Sequence, residues 1–231
     1  MNKTVFWDLD ETLTYNNAFV DARREFAQLM NNHGFDYDHA DAMMETIDST
    51  AVATHGFGDK FRFSNSMVEA YTALCFDVGS TPDFKVKEQA KQIGLAAMTK
   101  PVQLITSATR TIKAVTKLGY KQYIVTKGNV EFQEKKIFDT KLDKLVDGWF
   151  VFDHKTTLEM YDVLKTTKSS ARDSFFIGNS PKSDVNPAYR AGMSAIYIPH
   201  KTTWSAEIEP LLAGVIVVSK IHDVLEHLPS V

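Results

Sequence analysis

The sequence predicts an α/β protein: a doubly wound parallel sheet into which a separate α-helical domain has been inserted. Three observations predict it. First, Thr4-Val5-Phe6-Trp7 is a short β-branched and aromatic run that stops abruptly at the polar loop Asp8-Leu9-Asp10-Glu11-Thr12, as a buried strand ending at a sheet edge would. Second, after Pro101 strand and helix patterns alternate, which means parallel strands with helices on both faces. Third, more than 100 residues separate the first strand from the second, whereas a βαβ unit needs roughly 30. The excess is a helical insertion.

Within the insertion, apolar side chains recur at helical spacing in four successive sets. These are Phe19, Phe26, Leu29 and Met30; Met43, Met44, Ile47 and Ala51; Met67, Val68, Tyr71, Leu74 and Cys75; and Val86, Ala90, Ile93 and Ala97. Residues 15–98 are therefore assigned to a four-helix domain, and residues 1–14 with 99–231 to the sheet domain. The latter reads as helix from about 103 to 118, strand Gln122 to Val125, helix 129–140, strand Gly148 to Phe152 and helix 157–167. It continues with strand Ser174 to Ile177, a helix near 185–191, strands Ala195 to Ile198 and Gly214 to Val218, and a last helix. An insertion directly after the first strand is expected over the carboxyl ends of the strands, where ligands bind in open α/β sheets, and so to act as a lid.

Composition narrows the function classes. The 231 residues are 44% hydrophobic and 24% charged, with 26 basic and 29 acidic side chains and a net charge of −3. That is enough apolar material for a sizeable core, which excludes a disordered or fibrous chain. No apolar run approaches the roughly 20 residues that span a bilayer, and Asp8 comes too early for a signal-peptide core. A cytoplasmic protein with no membrane and no nucleic-acid partner is expected. The lone Cys75 falls on a helical apolar stripe and is read as packing.

The chemistry-bearing residues sit where predicted strands end. Asp8 and Asp10 follow the first strand, Thr126-Lys127-Gly128 the second, and His154-Lys155 the third. Gly178-Asn179-Ser180-Pro181-Lys182-Ser183-Asp184 follows the fourth. In a parallel sheet these ends converge on one rim. Carboxylate and amide oxygens, without paired histidines or a second cysteine, suit a hard cation such as Mg²⁺. A cation beside a lysine suits a phosphate, and phosphoryl transfer needs an in-line nucleophile, charge neutralisation and a proton for the leaving oxygen.

These segments resemble, in order, the motifs of the haloacid dehalogenase superfamily. Val5-Phe6-Trp7-Asp8-Leu9-Asp10-Glu11-Thr12-Leu13 resembles the first, Ile124-Val125-Thr126-Lys127-Gly128 the second, Lys155 in His-Lys-Thr-Thr-Leu-Glu-Met-Tyr the third, and Phe176 to Gly192 the fourth. The insertion resembles the family's type-1 helical cap, and the sheet domain its Rossmann-like core. The resemblance implies that Asp8 attacks phosphorus, Asp10 is the general acid and base, Thr126 and Lys155 serve catalysis, and Thr126, Lys127, Gly128 and Lys155 bind phosphate. It also implies Mg²⁺ held by Asp8, Asp10, Asn179 and Asp184. The implied activity is a phosphatase acting on a small phosphorylated metabolite. A phosphomutase of the same fold, or a catalytically weak phosphate- or metal-binding protein, are the alternatives. Asp10 favours phosphoryl transfer over dehalogenation. Asn179 departs from the family, which more often has Asp there, so its oxygen carries no charge toward a metal.

Two further segments are read as structural. Lys135, Lys136, Lys141 and Lys144, with interleaved acids, form a solvated helix face. His55-Gly56-Phe57-Gly58-Asp59-Lys60-Phe61-Arg62 forms an inter-helix turn with exposed charges.

Overall fold

A computed structural model of the chain describes residues 3–201 and 203–230. Met1, Asn2, Thr202 and Val231, inside the expected bounds of the sheet domain, lie outside the described residues. The strands are β1 (Thr4–Trp7), β2 (Thr14–Tyr15), β3 (Gln103–Leu104), β4 (Lys121–Lys127), β5 (Gly148–Phe152), β6 (Ser174–Gly178), β7 (Ser194–Tyr197) and β8 (Ile216–Val217). The helices are α1 (Asn17–Asn32), α2 (Tyr37–His55), α3 (Arg62–Asp77), α4 (Phe84–Thr99), α5 (Ala108–Lys117), α6 (Val130–Asp139), α7 (Thr157–Thr167) and α8 (Asn186–Arg190). The chain divides into two compact units, Met1–Tyr15 with Val102–Val231, and Asn16–Pro101.

The first unit is built on a six-stranded sheet of order β5-β4-β1-β6-β7-β8, parallel at every pairing. Both faces are covered, which is why β1 reads as a continuous apolar run rather than an alternating one. Val5, Trp7, Ile124 and Ile177 pack on one face with Ile112 and Val115 of α5. Phe6, Val125 and Phe176 pack on the other with Met160 and Val163 of α7. Trp7 keeps its indole nitrogen satisfied inside this core by donating to Gln122 Oε1 at 3.0 Å.

The strand order changes direction at β1, because β4 and β5 lie to one side of it and β6 to β8 to the other. That is a topological switch point, where the loops after neighbouring strands part and leave a crevice. The register aligns Trp7 with Ile124 and with Ile177. The backbone beyond each, carrying Asp8, Thr126 and Asn179, is thereby delivered to the same edge.

Some elements differ from the sequence expectation. Residues 103–104 form a strand, not the start of a helix, because they pair antiparallel with Thr14–Tyr15. The following helix begins only at Ala108, after Ser107 turns the chain at φ 75°. Pairing across nearly 90 residues of sequence is invisible to a local periodicity. The second strand runs on to Lys127, so Thr126 and Lys127 belong to β4 itself. The segment after β6 first forms a π-helical turn, Pro181–Val185, before α8. The last helix is a 3₁₀ segment, Ile221–His227.

The second unit is the four helices α1 to α4. Phe26, Met30, Met44, Met67, Leu74 and Cys75 are buried together in its core. Asp36 caps α2 by accepting from the His39 amide at 2.8 Å, and Asp83 caps α4 from Lys85 at 2.7 Å. α3 and α4 approach closely at Gly94, where an added Cβ would lie 2.5 Å from the Ser64 Cα. In the 55–62 turn the arginine is not an exposed charge. Arg62 begins α3 and pairs with Asp48 of α2, both side chains 14% exposed. Among the described residues no helix is long and apolar enough to cross a membrane.

Candidate active site

Asp8 is the first residue past β1, and its amide still donates to the Ile177 carbonyl at 2.9 Å, so its backbone is fixed by the sheet. Its carboxylate is 4% exposed as a residue. Lys155, arriving after β5 and also buried, lies between two carboxylates. Its Nζ donates to Asp8 Oδ1 at 2.5 Å, to Asp184 Oδ1, and to the Val125 carbonyl at 3.3 Å. Burial and the facing Asp184 push the Asp8 carboxyl up to about 7, against the pull of Lys155. Burial pushes the Lys155 ammonium down, but Asp184 and Asp8 outweigh it and hold the lysine above its ordinary value.

The π-helical turn after β6 places Asp184. Ser180 accepts from the Ser183 amide at 2.9 Å, while its own amide donates to Asp184 Oδ2 at 2.9 Å, which folds the carboxylate back against the strand end. Gly178 leaves room for it, since a Cβ there would stand 2.4 Å from Asp184 Oδ2. Asn179 is 8% exposed and donates its side-chain nitrogen to Thr203 Oγ1 at 3.1 Å.

Asp10 is held separately. Lys136 Nζ donates to both of its oxygens at 2.8 Å, and Gln133 Nε2 donates to Oδ2 at 2.9 Å. Burial pushes the Asp10 carboxyl up, but Lys136 and Gln133 prevail and keep it below the usual carboxylate value. The same Gln133 nitrogen reaches Thr126 Oγ1 at 2.9 Å and the Lys127 carbonyl at 2.7 Å. Gly128, at φ 145°, leaves space for that amide, since a Cβ would lie 3.0 Å from Gln133 Nε2. The Gly128 amide itself is committed to the Phe152 carbonyl at 2.9 Å.

Of the expected residues, Asp8, Lys155 and Asp184 thus form one hydrogen-bonded group, and Asp10 and Thr126, joined through Gln133, form a second. Lys127 is engaged elsewhere. Its ammonium contacts Glu207, and donates to Ser183 Oγ at 2.8 Å. Burial pushes Lys127 down, whereas burial of Glu207 is outweighed by Lys127 and by Ser183 and Ser180, which hold that carboxyl far below its ordinary value. A depressed carboxyl stabilises the fold above its unfolded value of 4.5 and loses that contribution as pH falls toward its folded one. Wild type is therefore expected to exceed Glu207→Gln in unfolding free energy at pH 7 and to lose most of the margin by pH 3. Urea titrations at the two pH values check it, and a pH-independent margin would refute the pair's role.

Three residues escaped the sequence reading. Lys136 was assigned to a solvated face, yet its side chain is 14% exposed and paired with Asp10. The correction has a tertiary cause, since only the docking of α6 against the loop after β1 brings a partner 126 residues distant. Gln133 left a usable signal: it stands four residues before the buried Ile137 and so shares the inward face of α6 as a polar residue on an apolar stripe. Glu207, in the loop after β7, left none.

The oxygens that the resemblance assigns to a hard cation are those of Asp8, Asp184, the Asn179 amide and the Asp10 carbonyl. Among the described residues no group of three or more His, Cys, Asp or Glu side chains could hold a metal. Mg²⁺ does not require one, because it commonly binds through one or two carboxylates and keeps several waters. The observation that fits it is Asp8 Oδ2, which is buried with no hydrogen-bond partner, on a carboxylate that burial and Asp184 hold against ionisation.

The model of the haloacid dehalogenase-like hydrolases matches residues 2–192. This chain belongs to that family. It is 23% identical over 210 residues, 87% of this chain and 82% of the other, to glyceraldehyde 3-phosphate phosphatase of Pyrococcus abyssi. Among solved structures, a haloacid dehalogenase-like family hydrolase of Xanthomonas campestris superposes with a TM-score of 0.81 at 22% identity, covering 98% of this chain and 91% of that one. The HAD-hydrolase YfnB of Bacillus subtilis, bound to magnesium, gives 0.67 at 20% identity over 98% of both chains. L-2-haloacid dehalogenase of Xanthobacter autotrophicus gives 0.64 at 15%, over 99% and 100%. At these identities the structural likeness establishes the haloacid dehalogenase fold, a frame that hosts both phosphatases and dehalogenases.

Proposed function

We propose that this haloacid dehalogenase-like hydrolase is a Mg²⁺-dependent phosphatase that cleaves a small phosphate monoester through an aspartyl-phosphate on Asp8. The observation that carries the reading is the second carboxylate. Asp10 stands two residues beyond Asp8 and is gripped by its own lysine, and the Gln133 amide links it to the Thr126 hydroxyl. Displacing a halide requires no proton, whereas an alkoxide leaving phosphorus does, so a held second carboxylate favours phosphoryl transfer. The similarity to a phosphatase of Pyrococcus abyssi adds support, as does a magnesium-bound relative for the cation.

In this reading an Asp8 oxygen attacks phosphorus and the ester P–O bond breaks, while Asp10, held ionised by Lys136 and Gln133 in the free protein, takes up a proton from solvent as substrate binds and passes it to the departing oxygen. Asp10 then takes a proton from water as that water attacks phosphorus, and the Asp8–phosphorus bond breaks to release phosphate. Thr126 donates to a phosphoryl oxygen, and Lys155 neutralises phosphoryl charge while fixing the Asp8 carboxylate. Lys127 and Gly128, which the resemblance places beside the phosphate, are engaged elsewhere, the lysine with Glu207 and Ser183 and the Gly128 amide with the Phe152 carbonyl. Mg²⁺, held by Asp8, the Asp10 carbonyl, Asn179 and Asp184, would supply charge neutralisation and keep Asp8 ionised.

The test is phosphate release from p-nitrophenyl phosphate and a panel of three- to six-carbon phosphate monoesters, with Mg²⁺ and after chelation. Metal-dependent release is expected, falling at least about 100-fold on chelation. Release of halide from 2-haloacids with no phosphate release would replace this reading by dehalogenation.

A further inference from the structure

The geometry points to Lys136 and Gln133 of α6 as positioning residues for the general acid, fixing the Asp10 carboxylate at the place from which it serves the leaving oxygen. The inference rests on the phosphatase reading of Asp10. It adds two residues that none of the four motif segments contains.

A general acid must stand within about 3 Å of the oxygen it protonates, and a displacement near 1 Å can cost about 100-fold in rate. Asp10 lies on a loop rather than in the sheet, immediately before Glu11 at φ 61°, and its side chain is 24% exposed. Its local contact, from Thr14 Oγ1, is long at 3.4 Å. The firm contacts come from α6. Lys136 takes both carboxylate oxygens at 2.8 Å, which fixes the position of the group. Gln133 takes Oδ2 with the same nitrogen that reaches the Thr126 hydroxyl and the Lys127 carbonyl. The carboxylate is thereby referenced to the β4 end, where a phosphoryl group would be bound, and not merely to its own loop.

Lys136 is also placed to be held itself. Its side chain is 14% exposed, which separates this pair from a solvated surface bridge of little consequence. Asn129 caps α6 by accepting from the Phe132 amide at 3.3 Å, and Ile137 beside Lys136 is fully buried, so the helix is anchored at both the cap and the core. The arrangement supplies the support that a loop-borne catalytic group otherwise lacks.

The test compares Lys136→Met, Lys136→Arg and Gln133→Leu with wild type on substituted phenyl phosphates, from nitrophenyl to unsubstituted phenyl, with melts to establish folding. A nitrophenolate leaves with little help from an acid, and a phenolate does not. Lys136→Met is expected to lose about 10-fold in kcat on the nitrophenyl ester and about 100-fold or more on the phenyl ester, with KM little changed. Gln133→Leu is expected to steepen the leaving-group dependence in the same sense, and Lys136→Arg to restore much of it. An equal loss on every ester, or a loss that follows the melting temperature, would assign Lys136 to structure alone and overturn the inference. Should wild type release phosphate from none of these esters, the phosphatase reading falls separately. The Asp10 ¹³Cγ resonance then decides the positioning: it shifts in Lys136→Met if the lysine holds the carboxylate, and stays put if it does not.

Discussion

Asp8→Asn is expected to abolish phosphate release, lowering kcat by about 10⁴-fold or more, because the variant lacks the oxygen nucleophile and no neighbouring group can take its place. Asp10 cannot substitute, since Lys136 and Gln133 hold it apart on the next turn of the loop. The fold is expected to survive. The carboxylate removed is the one that faces Asp184 across a single lysine, and Lys155 keeps its contacts to Asp184 and to the Val125 carbonyl. An unchanged thermal melt together with lost turnover is therefore the expected pair of results. A second readout is the covalent phosphoryl group itself: acid-quenched wild type incubated with substrate should carry it, and Asp8→Asn should not. Turnover within 10-fold of wild type would remove Asp8 from the reaction and with it the aspartyl-phosphate.

Lys155→Met has the opposite profile, with a large effect on stability as well as activity. The lysine side chain is 2% exposed and lies against carboxylates that are themselves 6% and 1% exposed. Breaking a buried pair by removing one partner costs about 3–5 kcal/mol, because the remaining charge is left uncompensated. Here two carboxylates are left facing each other. At about 2–4 °C per kcal/mol for a chain of this size, the melting temperature is expected to fall by about 10 °C in chelator at pH 7. Adding Asp184→Asn to Lys155→Met removes one of the two facing charges and is expected to recover part of the loss, a coupling that independent sites would not show. A single variant that melts with wild type would mean that the carboxylates are solvated or neutralised by another route.

Much of the site was legible because its residues are tied to strand ends. Asp8 follows an apolar run that reads as a buried strand, and Lys155 and Asp184 follow two more. Once the sheet is parallel, those ends share an edge whatever the details of packing. The four helices of the insertion were legible for a similar reason, since each carries its apolar stripe at helical spacing and packs with its neighbours. Residues 103–104 were misread because their strand state depends on Thr14–Tyr15, and Lys136 because its partner is Asp10. Neither relation leaves a mark within one turn of helix or one strand.

The sequence by itself determined the sheet, the insertion and the identity of the groups at the rim, because burial pattern and chain order are properties of local sequence. The tertiary structure alone decided which charges meet. Lys155 between Asp8 and Asp184, Lys136 on Asp10, and Lys127 on Glu207 are pairings across 29 to 147 residues. A lysine's stem is long enough to serve several acids. Which one it serves follows from how helices and loops dock on the sheet, and that docking is fixed by packing rather than by charge.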